Sequence, residues 1–554
     1  MHTFTDAERA VHDPPDRSFH IRLSRTSMIV VCAAVAIPII AAWLHYLIFG
    51  LTPDTAKYAV DPALPPDPHG FPGWIRLTHL FNFFFITLLA RSGLSILVDH
   101  PRLYWNHHCT PGTEWIRFTP ISVPTDRLWT AKDDARYVSP WAALPGYRHT
   151  IGMARSWHFF SLFGFLLNGI IFVTLLFFTD QWLRLVPTTW EIFPRAWNTF
   201  VHYATFHMPV EPNGFYYYNP LQQLGYFAVI FVMVPLSMLT GMAMSPALDN
   251  RFTWFPLLFG GRQAARSLHF ILLIGYLGFI IVHVSLVAAT GFARNMNHIV
   301  MGTDDLRPEG LIIGLTAIGL VVASWVAANA VAWKYPRSVQ LLHRMLAVPF
   351  LSVLDLFHPR ERYTKSDISP FFWPNGKMPE SEKWKHLAEN EFKEYRLKIG
   401  GMVEHPVLLS LDDLRRLERR EHISLHHCIQ GWSGIAHWAG VPMRTIIDLV
   451  KPKPGAGVVA FYSFGEGLYG GTYYDTQPLD NVLKSECLLA YEMNYNPLPQ
   501  VYGAPLRLRV ENHLGYKMVK WIESIEFVAN EKTLGEGQGG KNEDDEYFDL
   551  LPNI

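Results

Sequence analysis

The sequence predicts two unlike halves: an all-α bundle of about six transmembrane helices, then an α+β domain in which strands predominate. Three observations carry this. Long apolar runs dominate up to about Trp333, short alternating polar segments take over from about Lys334, and 554 residues exceed one ordinary soluble core. The net charge of -1 gives no argument for a nucleic-acid partner.

A helix needs about 20 apolar residues to cross a hydrocarbon core of about 30 Å. Six stretches reach that length: Met28 to Gly50, Trp74 to Val98, Trp157 to Thr179, Gln222 to Ser245, Ser267 to Gly291, and Leu311 to Trp333. Arg91 is the one acid or base well inside a span, near an end from which it can snorkel to the interface. The first stretch outruns a signal-peptide core and no small-residue cleavage pattern follows it, so it reads as a retained helix.

Basic residues set the orientation. Arg17, Arg22 and Arg25 precede the first span. Arg102, Arg117, Arg127, Lys132, Arg136, Arg148 and Arg155 lie between spans two and three, and Arg251, Arg262 and Arg266 between four and five. The alternate loops carry only Lys57, then Arg184 and Arg195, then Arg294 and Arg307. Both termini, and with them the polar half, are expected on the cytoplasmic side.

Ionisable side chains inside a bilayer need a reason. Among 25 histidines, four stand out: His79 near the start of the second span, His158 at the start of the third, and His269 and His283 in the fifth. The last two are fourteen residues apart, which at about 1.5 Å and about 100° per residue sets them about 21 Å apart on nearly one face. Chain direction then pairs His79 with His283 near the outer surface and His158 with His269 near the inner one. A single histidine at a span end is more often interfacial than a ligand; four that pair by topology favour two bis-histidine haems. His45, His202, His207 and His298 lie nearer loops and read as interfacial, with one a candidate for a quinone site. Cys32, Cys109, Cys428 and Cys487 form no CxxC or CxxCH, which argues against a disulfide framework, a zinc ribbon and covalently attached haem.

The segments GWIRLTHLFNFFF, RSWHFFSLFGFLLNG and LHFILLIGYLGFIIVH resemble the di-haem cytochrome b subunits that serve formate dehydrogenases and nickel-iron hydrogenases. The resemblance covers about Trp74 to Gly291. It implies a four-helix core with two b haems that exchanges electrons with quinone, flanked here by the first and last spans.

After Trp333 a basic amphipathic stretch bears Lys334, Arg337, Arg344, Arg360 and Arg362; it reads either as a helix on the inner membrane surface or as a solvated linker. From Tyr395, YRLKIGGMV, GVVAFYSF, PLRLRV and KWIESIEFV read as strands, and LDDLRRLERR and MRTIIDLV as short helices. No GxGxxG or GxxxxGK appears, leaving dinucleotide and P-loop sites unsupported. In HHCIQGWSGIAHWAGVP, Cys428 sits in a glycine- and tryptophan-rich loop that can present a thiolate to a soft metal.

That motif, with YGAPLRLRVENHLGYKMVKWIESIEF, resembles the sulfite oxidase family of molybdopterin enzymes, in particular the branch of the bacterial protein-methionine-sulfoxide reductase. The resemblance covers about Ser366 to Asn530. It implies that Cys428 binds molybdenum, that Arg507 contacts the pterin, and that Met518 and Val519 (through backbone N–H) and Lys520 (through its charge) hold the phosphate. It also places Ser463, Tyr502, Ser369, Phe372 and Trp373 in the cofactor loops. The sequence departs from that reductase at Ser369 and Tyr502, where the reductase has asparagines, at Ser463, where it has a threonine, and at Gln430, where it has a glutamate. The substrate is therefore not inherited.

The expected organisation is an N-terminal cytoplasmic tail (1–27), a transmembrane di-haem cytochrome b domain (28–333), an amphipathic linker (334–365), a molybdopterin domain (366–530) and an acidic polar tail (531–554). The expected protein is a multi-pass enzyme of the bacterial inner membrane carrying molybdenum-molybdopterin and two haem b. It would exchange electrons between quinone and a small-molecule or peptide-borne S-oxide, N-oxide or oxo-anion. Sulfite oxidation is an alternative, weakened because no arginine stands beside Cys428 in sequence. A haem-based electron carrier or redox sensor is another, opposed by the retained Cys428 and phosphate loop.

Overall fold

The computed structural model describes residues 19–51, 70–146, 150–207, 214–357, 363–484, 486–546, 548 and 552–554. Most of the N-terminal tail, with Arg17, also Lys57 and Arg148 of the charge count, and Arg360 and Arg362 of the amphipathic stretch, lie outside the described residues.

Among the described residues, six helices are long and apolar enough to cross a membrane: α1 (Arg25–Phe49), α2 (Gly73–Asp99), α3 (Ile151–Phe177), α4 (Pro220–Ala243), α5 (Arg262–Ala289) and α6 (Pro308–Lys334). Each covers most of one expected span, but α3 and α5 begin a turn or more before the apolar run. Hydropathy marks only residues that lipid accepts, whereas the first turns of both helices are buried in protein. Close approach holds the bundle: a Cβ on Gly164 of α3 would lie 2.2 Å from the Phe85 ring of α2. Asn168 of α3 donates to Asn82 (2.6 Å) and to the Thr78 carbonyl (3.0 Å) of α2.

Arg91 does not snorkel. It is buried, and one guanidinium nitrogen donates to the Pro140 and Ala143 carbonyls and to Asn329 of α6 (2.6, 3.3 and 2.9 Å). The connection from α2 to α3 folds back as a packed layer and supplies acceptors in place of water. Within it strands β2 (Arg102–Leu103) and β3 (Ile116–Arg117) pair with β1 (Arg22–Leu23) in the order β1-β3-β2. Arg102 is fully buried and ion-paired with Asp134 and Glu114, both at 2.7 Å. At least this one of the cations counted for orientation is a core residue.

Helix α7 (Pro336–Leu354) corresponds to the amphipathic linker. Its buried Val339, Gln340 and His343 face the body, with His343 stacked on Phe159 of α3 at 5.1 Å, while Leu341, Met345 and Phe350 are exposed. An outer face of that composition favours lipid over water.

Two five-stranded sheets follow. One is ordered β5 (Val407–Ser410), β4 (Arg396–Gly401), β13 (Ile522–Val528), β8 (Val458–Glu466), β9 (Thr472–Pro478), with β4 and β13 parallel. The other is ordered β11 (Asn496–Pro497), β10 (Leu488–Met493), β7 (Ser433–Pro442), β6 (Arg420–His427), and β12 (Arg507–Arg509) also pairs with β10. Trp373, Trp432 and Trp438 are among the largest fully buried side chains. Described residues of the acidic 531–554 tail pack against the fold. Its Glu543, Asp544, Phe548 and Ile554 are buried, Lys517 pairs with Glu543 at 2.6 Å, and Arg337 of α7 donates to the Glu543 carbonyl at 2.7 Å. Acidic composition concealed carboxylates that have cationic partners in the fold.

One buried ion pair gives a stability prediction. Arg509 grips Glu511 through two hydrogen bonds (2.8 and 2.7 Å), and His422 adds a third contact at 3.0 Å. Burial alone would raise the Glu511 carboxyl, but Arg509 and His422 outweigh it and hold the group well below the usual range. A depressed acid contributes stability above its unfolded pKa of about 4.3, and that contribution is lost as pH falls toward the folded value. Glu511→Gln is expected to cost about 3–5 kcal/mol near neutral pH by stranding Arg509, and to remove this part of the acid dependence. Thermal and urea unfolding of the full chain in detergent, followed by tryptophan fluorescence, checks both.

Candidate active site

Cys428 follows β6 directly and begins a tight turn into β7. Its N–H donates to the Trp432 carbonyl (3.1 Å), Gly431 N–H returns to the Cys428 carbonyl (3.0 Å), and Gly431 adopts φ +105°, which favours glycine. The thiol is 3% exposed, with Asn375 Nδ2 at 3.7 Å and Gln430 Oε1 at 3.8 Å. Burial pushes it up to about 12, so a soft metal would have to displace its proton. Asn375 was missed in the sequence; it stands two residues beyond Trp373 in the same loop, within reach of that motif.

On one flank lie the residues carried over for the pterin. Arg507 is buried between the Tyr502 carbonyl (2.9 Å) and the Trp438 ring (4.6 Å from its guanidinium carbon). Among the described residues its Nε has no partner, nor has Trp438 Nε1. Lys520 donates to the carbonyls of Asn375 and Val501, and burial together with the Arg507 charge pushes its ammonium well below the usual lysine range. Two neighbouring cations that, among the described residues, meet carbonyls but no carboxylate in bonding distance, beside unpartnered donors, fit a phosphate-bearing group. Ser463 accepts from Gly465 N–H (2.9 Å) and donates to the Lys520 carbonyl (2.7 Å), so it braces the phosphate loop. Gly515 of that loop lies so near His426 that a Cβ would fall 2.2 Å from its ring.

The Met518 N–H donates to the Gly515 carbonyl at 3.2 Å, closing a 3₁₀ turn. Ser369 accepts from Ile435 N–H (2.9 Å) and lies 3.1 Å from His108 Nδ1, bracing β7. Phe372 is the hub of the pocket wall, with ring contacts to His426, Trp432, Trp438 and Tyr502 at 5.4–5.8 Å. Tyr502 donates to its carbonyl at 2.7 Å, and Trp373 donates to the Cys109 carbonyl at 2.7 Å. The Val519 carbonyl accepts from Leu508 N–H at 2.8 Å, which ties the phosphate loop to β12.

The other flank is membrane-half protein. Arg262 and Gln263, in the first turn of α5, both donate to the Gly431 carbonyl at 3.0 Å, and Gln263 reaches Ser433 at 3.1 Å. His427 meets Asn250 at 3.0 Å, and Gln430 donates to the Asp99 carbonyl at 3.3 Å. Arginine is thus present beside the Cys428 turn after all, brought by tertiary contact from a distant part of the chain. Burial, then the neighbouring Arg509 and Arg507 for His426 and Arg262 for His427, holds both imidazoles well below the ordinary range, so they are neutral at pH 7.

The four bundle histidines form a far pair and a near pair relative to this turn. His79 and His283 have ring centres 6.4 Å apart. Two metal–nitrogen bonds of about 2 Å, plus about 1 Å on each side to the ring centre, require about 6 Å between two imidazoles that share one metal. His158 and His269, each in the second or third turn of its helix, lie within electrostatic reach of each other. Ser92 gives its proton to the Leu88 carbonyl (2.8 Å) and therefore accepts from His158 Nδ1 (3.0 Å). Thr240 repeats this with Leu236 (2.8 Å) and His269 Nδ1 (3.0 Å). Both imidazoles are left with a lone pair on Nε2, the form a metal requires. The next residue is glycine each time: a Cβ on Gly93 or Gly241 would lie 3.6 Å from the ring of His158 or His269. The site chemistry fits two bis-imidazole irons. His45 meets Trp197 (3.3 Å) and His298 meets Asp304 (2.8 Å), away from either pair.

These features define a membrane-bound molybdenum oxidoreductase with haem b. Residues 385–534 match the family model described as oxidoreductase molybdopterin binding domain, and residues 70–300 the model described as prokaryotic cytochrome b561. The oxidoreductase YuiH of Bacillus subtilis is 32% identical over 169 residues, 30% of this chain and 82% of that protein. The YedZ1 subunit of Azospira oryzae, whose name attaches it to a protein-methionine-sulfoxide reductase, is 27% identical over 229 residues, 41% of this chain and 72% of that one. The protein-methionine-sulfoxide reductase catalytic subunit MsrP of Xanthomonas axonopodis is 33% identical over 144 residues, 24% of this chain and less than half (45%) of its own length. The chain belongs to the molybdopterin-binding oxidoreductase family and joins that domain to a cytochrome b561 domain.

Arg507→Ala is expected to weaken cofactor retention about 10–100-fold, the loss of one or two charge-assisted hydrogen bonds of about 1.5–3 kcal/mol. Molybdenum per chain after prolonged dialysis measures it.

Proposed function

We propose that this protein exchanges electrons between a membrane quinone pool and a molybdenum centre on Cys428 through two b haems, at the cytoplasmic face of the cell membrane. The chemistry at that centre would be oxygen-atom transfer with a small S-oxide, N-oxide or oxo-anion. The observation that carries this is the seating of α5 on the Cys428 turn. Arg262 and Gln263 hold the Gly431 carbonyl, and His269 lies about two turns further along the same helix. The helix that would bind the near iron is therefore hydrogen-bonded to the loop that would bind molybdenum.

A bound molybdenum pterin supplies two-electron oxygen-atom transfer and haem b supplies single-electron transfer. Cys428 would provide the thiolate ligand, Arg507 and Lys520 the charge for the phosphate, and His79, His283, His158 and His269 the imidazoles that hold the irons. Phe372, Trp432 and Trp438 exclude water around the thiol, and His426, neutral and bonded to Arg509 at 3.1 Å, keeps the turn aligned with the phosphate loop. The arginines at the turn favour a second reading, oxidation of an anion such as sulfite.

Anaerobic stopped-flow spectroscopy of the detergent-purified enzyme tests the function. With haems pre-reduced by a short-chain quinol, dimethyl sulfoxide or free methionine sulfoxide should reoxidise both; under the second reading sulfite should reduce oxidised haems. Haems indifferent to all of these substrates and to nitrate, in a molybdenum-replete preparation, would contradict the proposal.

A further inference from the structure

We infer that residues 541–554 form an intramolecular strap that positions the Cys428 turn against the helices of the near histidine pair, with Phe548 and Ile554 as its positioning residues. The effect on electron transfer rests on the function proposed above; the docking of the strap does not.

The segment is bonded to both halves of the chain. Toward the strand domain, Glu543 pairs with Lys517 (2.6 Å), which also meets Asp475, and Asp544 accepts from the Tyr474 hydroxyl (2.6 Å). Further along, Leu514 N–H donates to the Pro552 carbonyl and Ile554 N–H to the Asn512 carbonyl, both at 2.9 Å. Toward the cytochrome half, Arg337 and Gln340 of α7 donate to the Glu543 and Phe548 carbonyls (2.7 and 2.8 Å). Glu546 lies 3.7 Å from Lys132 of the connection between α2 and α3. Buried polar groups are costly unless paired, so these bonds fix one register of the segment across the seam.

The apolar residues of the strap end beside the proposed thiolate. Phe548 and Ile554 are buried in one cluster with Ile151, Ile429, Leu514 and Tyr516, and Ile96 of α2 packs against it. The rings of Phe548 and Tyr516 meet edge to face, 5.1 Å between centres. Ile429 is the residue after Cys428, and Ile151 is the first of α3, about two turns before His158. On its Gly431 side the turn is held by α5, which bears His269. The strap supplies packing on the Ile429 side, so the turn is gripped by both helices that carry the near histidines. Relative motion is the default for two domains of one chain. Misplacement by about 1 Å can cost an oriented reaction about 100-fold. A segment that pins Ile429 to the start of α3 therefore acts on transfer between the two metal systems rather than on the retention of either.

The test uses the full-length enzyme in detergent, with molybdenum and haem content measured. Ile554→Asp puts a charge into the apolar cluster, Gln340→Leu removes a donor to the strap from outside it, and Ile554→Val is the conservative control. Hydrogen exchange read by mass spectrometry should show peptides covering 541–554 and 428–433 exchanging at least about tenfold faster in the first two variants. In the same variants reoxidation of the haems by dimethyl sulfoxide should slow at least about tenfold, with quinol reduction of the haems and metal content as in the wild type. Ile554→Val should match the wild type in every readout. Wild-type exchange at 428–433 in both Ile554→Asp and Gln340→Leu would overturn the strap. So would wild-type reoxidation in a variant whose 541–554 segment exchanges freely. Wild-type haems indifferent to every substrate would overturn the proposed function alone. Exchange at 428–433, which needs no turnover, then still decides whether the strap holds the turn.

Discussion

Cys428→Ala should abolish substrate-dependent oxidation or reduction of the haems while leaving their absorption spectra intact. Losing a partner one shell away from a metal typically costs 10–100-fold in affinity or activity. Loss of the only thiolate proposed as a protein ligand should exceed that, with turnover falling by roughly a thousandfold or more. The fold should survive. Cys428 is a small buried group in a turn held by backbone bonds between Cys428, Gly431 and Trp432, none of which needs the sulfur. Stopped-flow haem spectra and circular dichroism of the variant are the check. Turnover within tenfold of wild type would remove the thiolate from the chemistry.

The second large effect separates the two histidine pairs. His269→Ala should lower haem content from two per chain to one and disconnect the remaining haem from the substrate. The surviving far haem should still be reduced by quinol, yet no longer be reoxidised by an S-oxide. His283→Ala should do the reverse, keeping the near haem in contact with substrate and losing the quinol reaction. Pyridine haemochrome assays count the haems, and half-reaction kinetics show which connection is broken. Identical behaviour of the two variants would contradict an ordered route. Because both positions lie on α5, a general loss of fold would appear as loss of both haems, and is thereby told apart.

Much of this was legible in the sequence, for reasons that differ by element. The six spans announce themselves because lipid demands unbroken apolar length. The far histidine pair follows from helix direction, with the rings brought to 6.4 Å as spacing implies. The strands β4, β8 and β13 are visible as short runs between turns, and the helix Met443–Val450 as an apolar period. What stayed hidden depends on tertiary contact. Arg91 and Arg102 read as ordinary surface or interfacial cations, because their acceptors (Pro140 and Asn329, Asp134 and Glu114) are loop residues without pattern. The acidic C-terminal segment gave no sign of burial because nothing local shows that Glu543 meets Lys517. The arginines beside Cys428 are separated from it by more than 150 residues, so no local motif could display them.

The central claim is that one chain holds both metal systems and connects them. The most direct measurement is elemental analysis of the detergent-purified full-length protein, expressed with molybdenum-cofactor synthesis intact. About one molybdenum and about two irons per chain are expected from one thiolate turn and two bis-histidine pairs. Two irons without molybdenum would leave a haem carrier with an idle second domain and contradict the claim.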